Sequence, residues 1–261
     1  MSSLLEVKNA TKRFGGVVAN NNVSFTVEEG DITGLIGPNG AGKSTLFNMV
    51  SAVFPPTAGE IWLGDKRIDS FPSFKIAPLG ISRTFQNLQV FKNMTVLENV
   101  MVGVHTRTSS GMLAAAFRLP NSRKDEEFIY QSAMEVIKFV NLENSVDIEA
   151  GNLPLGKLRL LELGRALASK PRLLLLDEIA AGLNHQETLE MSELILKIRE
   201  QGISIFVVEH DMDLVMKICD KIIVLDQGEK IAEGTPNEVQ NNQRVIEAYL
   251  GASEEEEGVA T

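Results

Sequence analysis

Residues 37–45, Gly-Pro-Asn-Gly-Ala-Gly-Lys-Ser-Thr, restrict this chain more than any other stretch. Gly37, Gly42, Lys43 and Ser44 fill the fixed positions of the phosphate-binding pattern G-x-x-x-x-G-K-[S/T]. The flanks agree with it: residues 31–36 read as a short buried strand and residues 44–53 as a helix. A polyphosphate packs several negative charges into a small volume. Glycines let backbone N–H groups turn toward its oxygens with no Cβ in the way, and the helix N-terminus adds unpaired N–H groups and partial positive charge. Pro38, Asn39, Gly40, Ala41 and Thr45 complete the cradle. In that pattern Lys43 can reach the β- and γ-phosphates, and the Ser44 hydroxyl can ligate Mg²⁺.

The rest of the composition narrows the setting. A net charge of −10 argues against a nucleic-acid partner, because phosphate contacts need clustered Lys and Arg. Cys219 is the single cysteine, so no internal disulfide forms and a reducing compartment is expected. No apolar run reaches the length of a membrane span, so any membrane role is expected to come through partners. The acidic segment 251–261 has the composition of a disordered tail.

Strand patterns fill residues 4–30: one over 4–7, one over 12–14, a Gly15-Gly16 turn, then the alternation Val23, Phe25, Val27 of a half-buried antiparallel sheet. Further strands are expected over 60–63, 66–68 and 81–85. From about 90 to 167 the pattern is helical. Phe128, Ala133, Val136, Ile137 and Val140 share one face of a helix over 125–142, and another helix spans 158–169. Met112–Phe117 reads as an exposed inserted loop or short helix. Strands and helices then alternate: a buried apolar strand over 173–176, a helix over 188–201, strands over 203–208 and 222–225, and a last helix over 245–250. The expected fold is α/β: a P-loop NTPase core with a parallel sheet and flanking helices, an N-terminal antiparallel β part, and a helical insertion. Residues 1–250 form one domain, with the core in 1–89 and 168–250 and the helical part in 90–167.

A second chemical cluster follows from the strand ends. Asp177 and Glu178 close the apolar strand, and adjacent residues at a strand end point in different directions. That allows Asp177 to face a metal and Glu178 to face the water attacking a γ-phosphate. His210 follows another buried strand, where it can hold that water and Glu178 in place. His105 and His185 have no such setting and read as surface residues.

In order and spacing, Phe14, the loop 37–45, Gln86 in Arg83-Thr84-Phe85-Gln86-Asn87, Asp177-Glu178 and His210 resemble the motifs of ABC transporter ATP-binding subunits. The stretches 83–87, 93–100, 180–184, 209–215 and 248–251, with the insertion around 104–130, are similar to the LivG type of branched-chain amino acid importers. The resemblance implies adenine stacking on Phe14, contact of Gln86 with Mg²⁺ and the attacking water, Glu178 as catalytic base, and γ-phosphate contact from His210. It implies ATP and Mg²⁺ as cofactors, a second ATPase subunit in a heterodimer, two transmembrane permeases, and an external binding protein that acts indirectly. The location implied is peripheral, on the cytoplasmic face of the inner or plasma membrane. Leu88, Phe91, Met94 and Val96 are candidates for the groove that receives a permease.

The chain departs from the family pattern in two places. Where the family signature reads Leu-Ser-Gly-Gly-Gln, this chain has Leu153-Pro154-Leu155-Gly156-Lys157. Pro154 brings neither hydroxyl nor N–H, and Leu155 brings a bulky side chain. Ile179 and Asn184 replace a usual Pro and Asp after Glu178. Other readings stay open: export of a lipid or lipopolysaccharide, import of another solute, a soluble ATPase of repair or translation, or a nucleotide-binding regulator with weak hydrolysis.

Overall fold

The computed structural model describes residues 3–105 and 120–258. The chain opens with a hairpin of β1 (Ser3–Phe14) and β2 (Val17–Glu28). The two short strands expected before Gly15 are one continuous strand. Asn9, with φ 50°, falls where the pairing register shifts between Val7 and Ala10, and that bulge bends β1 without ending it. Next come β3 (Ile32–Ile36), the glycine loop and α1 (Lys43–Val50). β4 (Ala58–Leu63) and β5 (Lys66–Arg67) return to the hairpin, giving an antiparallel sheet in the order β2-β1-β4-β5.

After β6 (Ile81–Arg83) the chain runs through α2 (Val96–His105), α3 (Pro120–Phe139) and α4 (Leu155–Ala168). It then alternates: β7 (Leu173–Asp177), α5 (His185–Glu200), β8 (Ser204–Val208), α6 (Met212–Ile218) and β9 (Lys221–Asp226). It closes with β10 (Glu229–Gly234), α7 (Pro236–Gln240) and α8 (Gln243–Gly258). The second sheet has the order β10-β9-β3-β8-β7-β6 and is parallel except for the β10–β9 pair.

The period of two along each central strand builds both layers of the core. Leu173, Leu175, Phe206, Val208, Ile223 and Leu225 face the antiparallel sheet and α1, where they meet Phe25, Leu46 and Phe47. Leu174, Leu176, Ile205, Val207, Ile222 and Val224 face the opposite cluster, which contains Leu194, Ile195 and Ile198 of α5 and the buried residues of α2–α4. A continuous apolar run such as Leu173–Leu176 is therefore what a strand covered on both faces requires.

Several boundaries differ from expectation. α3 turns Ile129 into the core, four residues before Ala133, while Phe128 is 44% exposed; the helical repeat carries the buried stripe through 129, 133, 137 and 140. α4 starts three residues early because Pro154, at φ −65° and ψ 160°, suits the N-terminal edge of a helix. α5 starts at His185 because Asn184 and Glu187 form a capping box, each side chain accepting the other's backbone N–H. The segment expected to be a disordered tail is helical as far as Gly258; Glu and Ala are good helix formers and no proline interrupts them. The apolar stretch Met112–Phe117 lies outside the described residues. Among the described residues no helix is long and apolar enough to cross a membrane.

Phe206 links the two sheets. Its ring stacks at 5.3 Å on Phe25 of β2 and at 5.8 Å on Phe47 of α1, and it is fully buried. Phe206→Ala is expected to cost about 3–5 kcal/mol, read as a lower urea midpoint at unchanged slope.

Candidate active site

The glycine loop leaves the carboxyl end of β3 between β8 and β9, and its shape depends on close backbone packing. A Cβ on Gly37 would lie 2.1 Å from the Leu225 carbonyl oxygen. A Cβ on Gly42 would lie 2.4 Å from the Ala19 carbonyl oxygen. Gly42 has φ 95° and is the N-cap of α1, so its left-handed backbone starts the helix. Ala41 accepts from the Gly228 N–H at 3.1 Å and the Asn20 amide donates to Gly42 O at 3.3 Å. Strand β2 and the β9–β10 turn thus hold the loop from outside. From the C-terminal helix, the Tyr249 hydroxyl accepts from the Gly37 N–H.

The Lys43 ammonium is buried inside the loop, donating to Gly37 O at 2.7 Å and Pro38 O at 2.9 Å. Burial holds its pKa below the ordinary lysine value, and the nearby charge of Glu178 opposes the shift. The amine is thus held where a phosphate oxygen can replace the two carbonyls as its acceptor.

Across the cleft, Glu178 is the first residue past β7. Its N–H donates to Val208 O at 2.9 Å, extending the ladder by one bond, and its backbone has φ 50°. A left-handed non-glycine residue costs of order 1–3 kcal/mol. It also turns the chain sharply, which separates the directions of Asp177 and Glu178. One oxygen of Glu178 accepts from the Gln86 side-chain amide at 2.9 Å, and the other is 2.9 Å from His210 Nε2. Two side chains far apart in sequence, Gln86 and His210, therefore converge on one carboxylate.

Asp177 faces the other way. Its Oδ2 accepts from Arg83 at 2.8 Å, and its N–H donates to the Thr84 hydroxyl. Burial raises its pKa, and the Arg83 hydrogen bond and charge only partly offset that. Arg83 also donates to Asn48 Oδ1 and Ser51 Oγ, which ties β6 to α1.

A cleft of about 620 Å³ is lined by the loop from Asn39 to Thr45 and by Gln86, Glu178 and His210. Val17, Val18, Ala19, Gln227 and Gly228 complete it. Phe14 stands at the end of β1, 49% exposed, with its ring 5.5 Å from Phe54 in an edge contact. It is outside this lining, whereas Val17 and Val18, across the hairpin turn, are inside it. Asp177 is also outside the lining, behind Arg83. Sequence reasoning missed Arg83, Ala19 and Gly228, the last in a left-handed Gln227-Gly228 turn.

The signature stretch has a different character. Pro154 caps α4 without a side-chain hydrogen bond, and Leu155 is 39% exposed. Gly156 packs under Glu187, whose Oε1 would be 2.4 Å from a Cβ there. The Lys157 ammonium donates to Ser145 Oγ at 3.0 Å. Ile179 is fully buried in the core. Of the groove candidates, Phe91 and Met94 are exposed, Leu88 is half-buried and Val96 is fully buried.

The family described as ABC transporter matches residues 20–181, and the family described as branched-chain amino acid ATP-binding cassette transporter matches residues 229–255. The chain is 44% identical to the high-affinity branched-chain amino acid transport ATP-binding protein BraF of Pseudomonas aeruginosa, over 95% of this chain and 98% of BraF. It is 41% identical to the corresponding protein LivG of Escherichia coli K12, over the same shares. The solved ADP conformation of MJ1267, an ATP-binding cassette of an ABC transporter, superposes with a TM-score of 0.84 at 33% identity. That match covers 96% of this chain and 100% of MJ1267.

Gly42→Ala forces a side chain onto a left-handed backbone against the Ala19 carbonyl. It is expected to weaken nucleotide binding by about ten-fold or more, measured by displacement of a fluorescent nucleotide analogue.

Proposed function

The chain belongs to the ABC transporter family of ATP-binding cassettes, ATPases coupled to transport, and from that membership we propose that it powers import of branched-chain or other hydrophobic amino acids. The convergence of Gln86 and His210 on Glu178, opposite the phosphate loop, carries the catalytic part of this reading. The names of BraF and LivG and the match at 229–255 support the substrate class.

In this mechanism Lys43 and the loop N–H groups bind the β- and γ-phosphates of ATP. Glu178, oriented by Gln86 and His210, accepts a hydrogen bond from the attacking water and aims it at the γ-phosphorus. His210 then contacts the γ-phosphate. Phe14 and the neighbouring valines receive the adenine; the exposure of Phe14 and its position at the hairpin turn fit that role. Ser44 and Gln86 face the cleft and offer hard oxygen donors that suit Mg²⁺; Asp177, paired with Arg83 behind the lining, would reach the ion only by giving up that partner. When bound, the ion neutralises charge on the β- and γ-oxygens. These residue roles, and the division into 1–89, 90–167 and 168–250, are part of the proposal.

Membrane permeases as partners follow from the membership, and we infer that they hold the chain at the cytoplasmic face. We infer two permeases, a different ATPase as dimer partner, and an external binding protein that delivers the solute. The Pro154-Leu155 pair supports the heterodimer. The start of α4 lacks a hydroxyl, and the Lys157 ammonium is already bonded to Ser145. This chain would thus burn ATP in its own loop against the partner's signature while serving the partner's site poorly.

Three outcomes test this reading. Glu178→Gln should lower ATP turnover by about 10²–10⁴-fold with nucleotide binding retained; unchanged turnover would mark a binding regulator instead. Pro154→Ser combined with Leu155→Gly should raise turnover of the assembled complex about ten-fold, the worth of one hydrogen bond to a charged group; no gain removes the asymmetry. A tagged pull-down from gently solubilised membranes should recover two permeases and a second ATPase. Soluble partners alone would contradict the transporter.

A further inference from the structure

Glu209 is 4% exposed and has no part in the mechanism above. Its carboxylate accepts from two backbone groups on different segments: the Ala180 N–H at 2.9 Å on Oε1 and the His210 N–H at 3.3 Å on Oε2. Ala180 lies two residues after Glu178, and His210 bonds the Glu178 side chain. The bonds therefore close a ring, running from Glu178 through the backbone to Ala180, across the Glu209 carboxylate to His210, and back through the imidazole to Glu178. A second tie between the same segments is the Glu178 N–H on Val208 O.

We propose that Glu209 is a positioning residue, a buried carboxylate clamp that fixes the loop after Glu178 to the His210 backbone and so sets the angle at which Glu178 meets the attacking water. The inference rests on hydrolysis at Glu178 as described above.

The ionised carboxylate serves both N–H groups as a full acceptor. Protonation leaves one carbonyl oxygen and one weakly accepting hydroxyl oxygen, so one bond of the ring is weakened. Burial pushes the Glu209 pKa up to about 7, with smaller contributions from the charges of Glu178 and Asp211. The titratable groups around it are Glu178 in the adjoining loop, His210 beside it, Asp211 at the start of α6 and Cys219 beyond α6. The sign is definite: the clamp is complete above that value and loosens as pH falls through it.

The test uses the full chain, with amide NMR of the free protein and ATP turnover of the assembled complex. In the wild type, the Ala180 and His210 amide resonances should move together with one midpoint, and the movement should vanish in Glu209→Gln. Turnover of Glu209→Gln should fall about ten-fold or more with KM for ATP within about two-fold, and lose the wild-type rise with pH. Independent titration of the two amides, wild-type turnover in Glu209→Gln, or a lower turnover that keeps the wild-type pH profile overturns the proposal. Should Glu209→Gln fail to fold, Glu209→Asp decides: the shorter carboxylate should uncouple Ala180 from His210, and continued joint movement overturns the clamp. A wild-type chain without hydrolysis would fail the catalytic reading alone, since the amide titration judges the clamp separately.

Discussion

The burial of β3, β7 and β8 on both faces is the constraint on which the rest of this molecule depends. Each strand is covered by α1 and the antiparallel sheet on one side and by helices on the other. Such strands must satisfy all their backbone groups by pairing in one sheet. The parallel registers Leu35 with Val208, and Asp177 with Val208, bring three carboxyl ends to one level. The phosphate loop, Glu178 and Glu209-His210 follow directly from those three ends. The site is thus a consequence of sheet register, and any slip of one residue would turn Phe206 away from Phe25 and Phe47 as well as displacing Glu178 and His210.

Charge at the site is managed by burial as much as by pairing. Lys43, Asp177 and Glu209 all have pKa values shifted toward the neutral form by desolvation. Each is offset by a different partner: Glu178 for Lys43, Arg83 for Asp177, backbone N–H groups for Glu209. A polyphosphate arriving in the cleft meets donors already oriented by the protein, which is where electrostatic preorganisation has its largest effect. Glu178 adds a strained backbone at the same point, held by the Val208 bond. Strain of this kind persists only where surrounding contacts over-determine it.

The departures from the family pattern have structural substitutes. Asn184 caps α5 through Glu187, and Glu187 in turn sits over Gly156 at the start of α4. The loop after Glu178 and the signature helix are therefore packed as one unit. Ile179 is inside the core. These residues secure the local fold, while Leu155 at the start of α4 stays exposed.

Much of this molecule was legible in the sequence because its signals are local. The spacing of Gly37, Gly42, Lys43 and Ser44 determined the loop. The apolar runs determined which strands are doubly covered, and Asp177-Glu178 and His210 stood where strand ends predict chemistry. Other features needed the tertiary structure because they depend on distance through space. Nothing in Arg83-Thr84-Phe85 told that Arg83 would hold Asp177, and nothing in Glu209-His210-Asp211 told that Glu209 would reach Ala180. Phe128 was misassigned for the same reason: with apolar residues at both 128 and 129, only packing against the neighbouring helices decides which turns inward. The sequence by itself determined the type of chemistry, since that lies in residue identity and short spacing. The tertiary structure decided which groups share a carboxylate and which are desolvated, since hydrogen bonds and burial act over a few ångströms whatever the separation along the chain.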